Sequence, residues 1–190
     1  KFNLKEHCSL LVDKLTQSSR ALSIIRHHLP QEMLIQFYHA HVMSHLYYCS
    51  FLMAKFTNQD IQRIQRLQNR CIKIIFNLDS RHPTVDLFIS YEHKSLPVIG
   101  IIYAALMINL KKSLLLDMEE LLEFEVTNNN RRSSGDVRPS SFSRKRHIGT
   151  DISYLGPILY NQLCKELKEM KNLNKFKVEV KRYLLERIDL

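Results

Sequence analysis

The chain has 190 residues, enough for one domain or one and a half with a sizeable core, and 45% of them are apolar, which places it in the globular class. The low numbers of glycine (4) and proline (5) argue against a β architecture with many turns. Lysine and arginine exceed aspartate and glutamate by 28 − 19 = 9, which favours a polyanionic partner; the alternative is a soluble domain that is basic without such a partner.

The first 56 residues have the apolar spacing of two helices. Residues 4–28 repeat apolar side chains with a helical rather than an alternating period, at Leu4, Leu11, Leu15, Leu22 and Ile25. Pro30 then interrupts the pattern, and its fixed φ suits the first turn of a second helix. That helix is predicted from about Gln31 to Phe56, with apolar and aromatic residues around much of its girth.

A third helix is predicted from about Gln59 to Asn77, with Asn58 as its N-cap. Apolar residues follow one side of it, and four cations form a second stripe roughly 120° around the helix at ~100° per residue. The cations are Arg63, Arg66, Arg70 and Lys73. A stripe beside a core-facing side is typical of a helix that meets phosphates; the alternative is an ordinary solvated polar face. Few acidic residues stand at i±4 to neutralise it.

The longest apolar stretch runs from Leu96 to Leu110 and predicts a fourth helix. It is shorter than the roughly 20 residues needed to span a bilayer. It also contains Pro97, Gly100 and Asn109, so we expect a buried core helix and no membrane partner.

The composition changes sharply after an acidic run at 117–126. Residues 127–151 are rich in Asn, Arg, Ser, Gly and Pro, which predicts a basic, flexible loop that cannot bury enough surface to fold alone. Its candidate nucleic-acid contacts are Arg131, Arg132, Arg144, Lys145 and Arg146. Helical periodicity returns in 152–190. We therefore predict an all-α fold with a helical bundle over 1–126, a basic loop over 127–151 and a C-terminal helical extension over 152–190.

The four cysteines are far apart and include no C-x-x-C pair, which excludes the usual zinc and thioredoxin-type motifs. Their spacing fits reduced, buried thiols in an intracellular protein, in the nucleus or the cytoplasm. No N-terminal run resembles a signal peptide. Because the chain begins with Lys1 rather than Met, we expect a fragment or a processed product.

No catalytic motif is recognisable. Polymerase chemistry needs two carboxylates that hold two divalent ions, and here no two Asp residues are adjacent. Glu119, Glu120 and Glu123 are expected to be surface charges on a helix rather than a metal site. His41 and His45 have the i, i+4 spacing of zinc ligands, but the Glu that follows the first His in zinc proteases is missing. The chain is predicted to contain no cofactor.

Several motifs nevertheless follow one another in a characteristic order. The tail contains Gly156-Pro157-Ile158-Leu159-Tyr160-Asn161-Gln162-Leu163 and, further on, Phe176-Lys177. Upstream are Phe2-x-Leu4-x-x-His7, then Tyr38-His39-Ala40 leading to Ser44-His45-Leu46-Tyr47-Tyr48, then Leu67-Gln68-Asn69-Arg70, and Leu96-Pro97. Together they resemble the C-terminal, thumb and post-thumb region of reverse transcriptases from non-LTR retrotransposons of the jockey-like group. The resemblance spans nearly the whole chain.

The resemblance implies a helical, thumb-like bundle in 1–126 that grips an RNA/DNA template-primer duplex as it leaves the palm. The parent would be an RNA-directed DNA polymerase that uses magnesium, and its missing palm and fingers would be further partners. Because this chain lacks the catalytic carboxylates, it should be inactive alone. It departs from the family in having no Trp after Tyr48 or at Tyr160, and in Cys164, which replaces the usual Pro or polar residue.

A second hypothesis comes from a different functional class. A domesticated or decayed fragment would act as a helical protein-interaction module, with the acidic 117–126 segment and the basic arm pairing with each other or with a partner. This hypothesis predicts weak nucleic-acid binding and a stable complex with a protein.

Overall fold

The computed structural model describes residues 3–48, 50–84, 87–88, 95–116, 124–126, 137–139 and 152–187. Helices dominate the described residues, so the predicted all-α fold class is confirmed. The chain forms two compact units, one of residues 1–101 with 185–190 and the other of residues 102–184. The predicted division at 126 and 151 stays a prediction, since most of 127–151 lies outside the described residues.

The first unit is built from helices of very different length. They are α1 (Leu4–Ile25), α2 (Gln31–Tyr38), a π-helical segment (His39–Met43), α3 (Ser44–Tyr47), α4 (Ser50–Met53) and α5 (Asn58–Ile75). The single helix expected over 31–56 was wrong. Its backbone widens into the π-helical segment, and Tyr48 then adopts an extended conformation (φ −65°, ψ 121°) that ends α3.

Side chains just before α1 and α5 fix where these two helices begin. The side-chain Oδ1 of Asn3 accepts from the backbone N–H of Lys5 at 3.2 Å. At α5 the N-cap is Thr57 and not the predicted Asn58, because the Thr57 Oγ1 accepts from the backbone N–H of Asp60 at 3.2 Å. The Thr57 hydroxyl also donates to the Asp60 carboxylate at 2.7 Å. Thr57 thus satisfies one N–H group that has no partner within the helix and holds the Asp60 side chain at the first turn.

Helices α1 and α5 pack side by side and run parallel, as contacts along their length show. Near their N-terminal ends, the His7 ring lies 6.0 Å from that of Phe56, just before α5. Farther along, the Ser19 hydroxyl lies beside the buried Cys71 thiol. Their C-terminal ends also meet, because Arg26 shares a concavity with residues at the end of α5. Leu15, Leu22 and Ile64 are fully buried in the core of this unit.

A buried amide connects α5 to its neighbours. Gln68 is 0% exposed. Its Nε2 donates to the Tyr38 hydroxyl at 3.1 Å and to the Leu96 carbonyl at 2.9 Å. The adjacent Gln65 accepts, through Oε1, the backbone N–H of Val98 at 2.7 Å. Two glutamines therefore connect α5 to α2 and to the start of the next long helix. Burial raises the pKa of Tyr38 well above its usual range, and the hydrogen bond from Gln68 opposes part of that rise.

The second unit contains most of α6 (Val98–Leu115), the strands β1 (Phe124–Val126) and β2 (Val137–Pro139), and the helices α7 (Ile152–Asn161), α8 (Lys165–Glu169) and α9 (Leu173–Leu185). The strands pair antiparallel, and their register places Glu125 opposite Arg138. One end of the predicted acidic run is thus paired with three residues of the predicted basic loop. The other residues of that loop lie outside the described part of the chain.

Helix α6 is long and apolar enough to cross a membrane, by length and composition only. More than half of it is buried inside the protein. Its polar Lys111 is 5% exposed, and its Nζ donates to the Lys168 carbonyl in the last turn of α8. The burial of this helix agrees with the core helix predicted from the sequence.

Replacing Gln68 with Leu should destabilise the first unit. The substitution removes the donor to the Leu96 carbonyl and leaves that buried acceptor unsatisfied, at a cost of about 1–3 kcal/mol. The check is urea denaturation followed by circular dichroism. Gln62→Leu is the matched control, because Gln62 is exposed on the same helix and its replacement should change stability by less than about 0.5 kcal/mol. Equal losses in the two variants would contradict the role of Gln68.

The burial of Lys111 leads to a prediction about the stability of the protein at alkaline pH. Burial lowers the pKa of its ammonium from 10.5, so in this range the unfolded chain binds more protons than the folded one. The contribution of Lys111 to stability should therefore rise with pH from its lowered folded pKa up to its unfolded value. Wild type should gain free energy of unfolding relative to Lys111→Met as the pH rises from neutral toward 10.5. A pH-independent difference between the two proteins would contradict the burial of a charged amine.

Candidate nucleic-acid interface

The face of α5 opposite Gln68 carries the four predicted cations. At ~100° per residue, Arg63, Arg66, Arg70 and Lys73 all lie roughly 140–220° around the helix from Gln68. The three arginines are exposed and Lys73 is half-buried. Since Gln68 is fixed by partners on other elements, the rotation of α5 is fixed too, and the cations must face outward.

Three of these four cations line an open concavity with a volume of about 440 Å³. A fourth cation, Arg26, reaches it from the residue that caps the C-terminus of α1. The complete lining is Arg26, Arg66, Asn69, Arg70, Lys73, Ile74, Leu78 and Ser80. It contains four cations, two uncharged polar residues, two apolar residues and no carboxylate. Arg63 shares the face of α5 but does not line the concavity.

The turn after α5 forms one wall of this concavity. Asn77 adopts a left-handed conformation (φ 51°), and the backbone N–H of Leu78 donates to the Lys73 carbonyl at 2.9 Å. These features form a helix stop of the Schellman type, in which Asn is the commonest replacement for Gly. The Lys73 Nζ donates to the Ser80 carbonyl, which holds the turn against the helix.

Asp79 is the acidic residue beside this turn. Its carboxylate accepts from the backbone N–H of Arg81 at 2.8 Å and from the Ser80 hydroxyl at 3.2 Å. These hydrogen bonds, with a smaller contribution from the charge of Lys73, lower the pKa of Asp79. The carboxylate thus stays ionised, but its hydrogen bonds go to its own turn, and it does not line the concavity.

The electrostatics of the concavity combine side-chain and backbone charges. Because α1 and α5 are parallel, both C-terminal ends lie here, and each contributes roughly −0.5 charge from its aligned peptide dipoles. Four cationic side chains outweigh these two partial charges and the nearby carboxylate of Asp79. The balance remains strongly positive, so the site suits an anion with several negative charges.

The structure separates the predicted site residues into three groups. Arg66, Arg70 and Lys73 are brought together around the concavity, while Arg63 lies nearer the N-terminus of α5, where its charge acts on the Cys8 thiol. The pKa of that thiol is raised by burial and then by Asp60, and Arg63 opposes the shift. The third group lies outside the described residues: Arg131, Arg132, Arg144, Lys145 and Arg146.

Sequence reasoning missed Arg26. It stands at the end of the first helical pattern, only four residues before Pro30, where a cation is ordinary because it complements the helix dipole. Its position beside the stripe of α5 depends on the parallel packing of two helices that are separated by 32 residues of sequence, 26–57. No local pattern contains that information.

The other titratable groups do not assemble into a reaction centre within the described residues, and no group of three potential metal ligands is found among them. His41 is exposed, and its ring stacks 4.4 Å from that of Phe37. The pKa of His45 is lowered by burial and by the nearby charges of Lys14 and His41. A zinc site of the usual kind needs at least one further protein ligand beside these two histidines.

The tail motif has a structural role in the second unit. The Asn161 amide accepts from the backbone N–H of Val137 at 2.9 Å and donates to the Val137 carbonyl at 2.8 Å, as a neighbouring strand would. Tyr160 is buried, with its ring 6.4 Å from that of Phe176, and burial raises its pKa to about 12. The Lys111 Nζ lies 5.6 Å from the Phe176 ring centre, a cation–π distance.

Comparison of the chain with models of protein families, with curated protein sequences and with solved structures finds no match.

Proposed function

We propose that this chain is the thumb and post-thumb region of a reverse transcriptase from a jockey-like, non-LTR retrotransposon, and that it binds the phosphate backbone of an RNA/DNA template-primer duplex. The observation that carries the proposal is the cationic face of α5, with three exposed arginines and Lys73 on the side opposite the buried Gln68. The family is proposed from the resemblance of the ordered motifs, and the phosphate contact is proposed from the cationic face of α5.

The geometry of α5 suits a backbone contact that does not depend on base sequence. At 1.5 Å per residue, the ten steps from Arg63 to Lys73 span about 15 Å. That length corresponds to roughly four nucleotides of one strand at 3.4 Å each. Arginine presents a planar fork of donors that matches phosphate oxygens, and contacts of this kind position a protein on a duplex without reading bases.

Catalysis is assigned to a part of the parent other than this chain. Magnesium would be held by carboxylates of the palm, and the proposed thumb would act by holding the duplex in place. The basic segment with Arg131, Arg132, Arg144, Lys145 and Arg146 would add attraction that is independent of sequence. The location proposed for such an element is intracellular, in the nucleus or the cytoplasm.

The proposal predicts a steep salt dependence of binding. The affinity of the full chain for an RNA/DNA hybrid would be measured by fluorescence anisotropy at several salt concentrations. The double variant Arg63→Gln/Arg70→Gln should flatten the plot of log affinity against log salt by about 0.9 for each lost contact, because each neutralised phosphate releases counterions. Lys14→Gln is the control, since Lys14 lies on α1 beside His45 and should leave the slope nearly unchanged.

An unchanged slope in the double variant would remove α5 from the interface. Weak binding of the wild-type chain at every salt concentration would contradict the proposal as a whole. That result would favour the alternative function, a domesticated or decayed fragment that acts as a helical protein-interaction module.

A further inference from the structure

The cations at the end of α5 form a more compact site than a backbone contact requires. Arg26, Arg66, Arg70 and Lys73 converge on one concavity from two helices, whereas the stripe seen in the sequence is linear. A volume of about 440 Å³ falls within the ~300–1,000 Å³ typical of small-molecule sites. Each phosphate of a diester backbone carries one negative charge. The four cations gathered here therefore exceed the negative charge that a single backbone phosphate would bring to the concavity.

Stabilisation of the helix ends does not account for this cluster. The helix dipole acts within the last turn, which includes Lys73 in α5 and the cap Arg26 in α1. Arg66 and Arg70 stand nine and five residues before the end of α5 at Ile75, outside that turn. They are also four residues apart, a spacing at which like charges on a helix repel. Grouping them costs stability unless an anion is bound.

We propose that this concavity binds a compact polyphosphate, a group in which two or three phosphates are joined in a row. Such a chain concentrates several charges in a small volume, and even one terminal phosphate monoester carries about −1.5 to −2. The four cations would share the oxygens of adjacent phosphates, with the arginines offering paired donors. This site goes beyond the proposed duplex contact, because Arg26 takes part in it and Arg63 does not.

The remaining lining residues fit the rest of such a ligand. The Asn69 oxygen accepts from Gln65 Nε2 at 2.7 Å, so its NH₂ group is the end left to donate to a ligand oxygen. Ile74 and Leu78 supply an apolar wall beside the cations, suited to a sugar or a base attached to the phosphates. Lys73 is already positioned by its hydrogen bond to the Ser80 carbonyl, which reduces the ordering that binding would require.

Isothermal titration of the full chain with inorganic tripolyphosphate, at constant ionic strength, tests the site. We expect saturable binding with one ligand per chain, and binding of citrate that is at least about tenfold weaker despite its multiple negative charges. Arg26→Gln and Arg70→Gln should each weaken tripolyphosphate binding by about tenfold or more, the loss typical of one charged hydrogen bond. Arg70→Lys, which keeps the charge but not the fork, should give an intermediate affinity.

Arg63→Gln is the matched control, because Arg63 is exposed on the same face of α5 and lies outside the concavity. Its tripolyphosphate affinity should stay within about twofold of wild type. Equal binding of citrate, an unchanged affinity in Arg26→Gln, or equal losses in Arg26→Gln and Arg63→Gln would each overturn the proposal. Circular dichroism would confirm that the variants, all at exposed positions, are folded.

Two sources of polyphosphate share this chemistry, a free nucleoside triphosphate and the 5′-triphosphate end of an RNA. Competition against bound tripolyphosphate separates them. If the ligand is a free nucleoside triphosphate, ATP should displace the bound tripolyphosphate. If the ligand is the end of an RNA, an oligonucleotide with a 5′-triphosphate should displace it better than the same oligonucleotide with a 5′-hydroxyl. Failure of both competitors would overturn a nucleotide-linked ligand. The duplex proposal fails or succeeds separately, on the salt slope of duplex binding by Arg63→Gln alone, because Arg63 lies outside the concavity.

Discussion

The orientation of α5 depends on one buried amide. Gln68 has no exposed surface, and it donates to a hydroxyl of α2 and to the carbonyl of Leu96. A polar group buried in this way is costly unless its hydrogen bonds are made, so α5 can rotate only by breaking them. Because the four cations lie on the opposite face, the same bonds that stabilise the core also determine what the helix presents to solvent.

The second constraint is the parallel packing of α1 and α5. Parallel neighbours place two helix C-termini together, and their partial negative charges favour nearby cations. Arg26 and Lys73 are explained by that effect alone. Arg66 and Arg70 are not, and their mutual repulsion weakens the helix slightly, by a few tenths of a kcal/mol. A ligand with several negative charges offsets the repulsion between the cations, while the cations themselves outweigh the partial negative charge of the two helix ends. The concavity is therefore more informative than the count of basic residues.

Helix type and the cationic stripe could be read from the sequence, because both follow from local periodicity. The stripe at Arg63, Arg66, Arg70 and Lys73 needed only the helical repeat of α5. The break at Tyr48 was not predictable, since nothing in the apolar pattern of 31–56 distinguishes a π-helical turn from a continuous helix. The burial of Gln68 was equally unpredictable from the sequence. A glutamine between Leu67 and Asn69 reads as surface, and only its partners on other elements make it part of the core.

The position of Arg26 in the site was not predictable for the same reason, because the cations beside it lie on α5, a helix that begins after Thr57. The tail motif shows a different limit of prediction from the sequence. Tyr160, Asn161 and Phe176 carry much of the family resemblance, yet in the structure they hold β2 and enclose Lys111. They specify how the second unit folds. The resemblance therefore bears on architecture, and the case for binding phosphates depends on the cations of the first unit, where direct measurement of affinity can decide it.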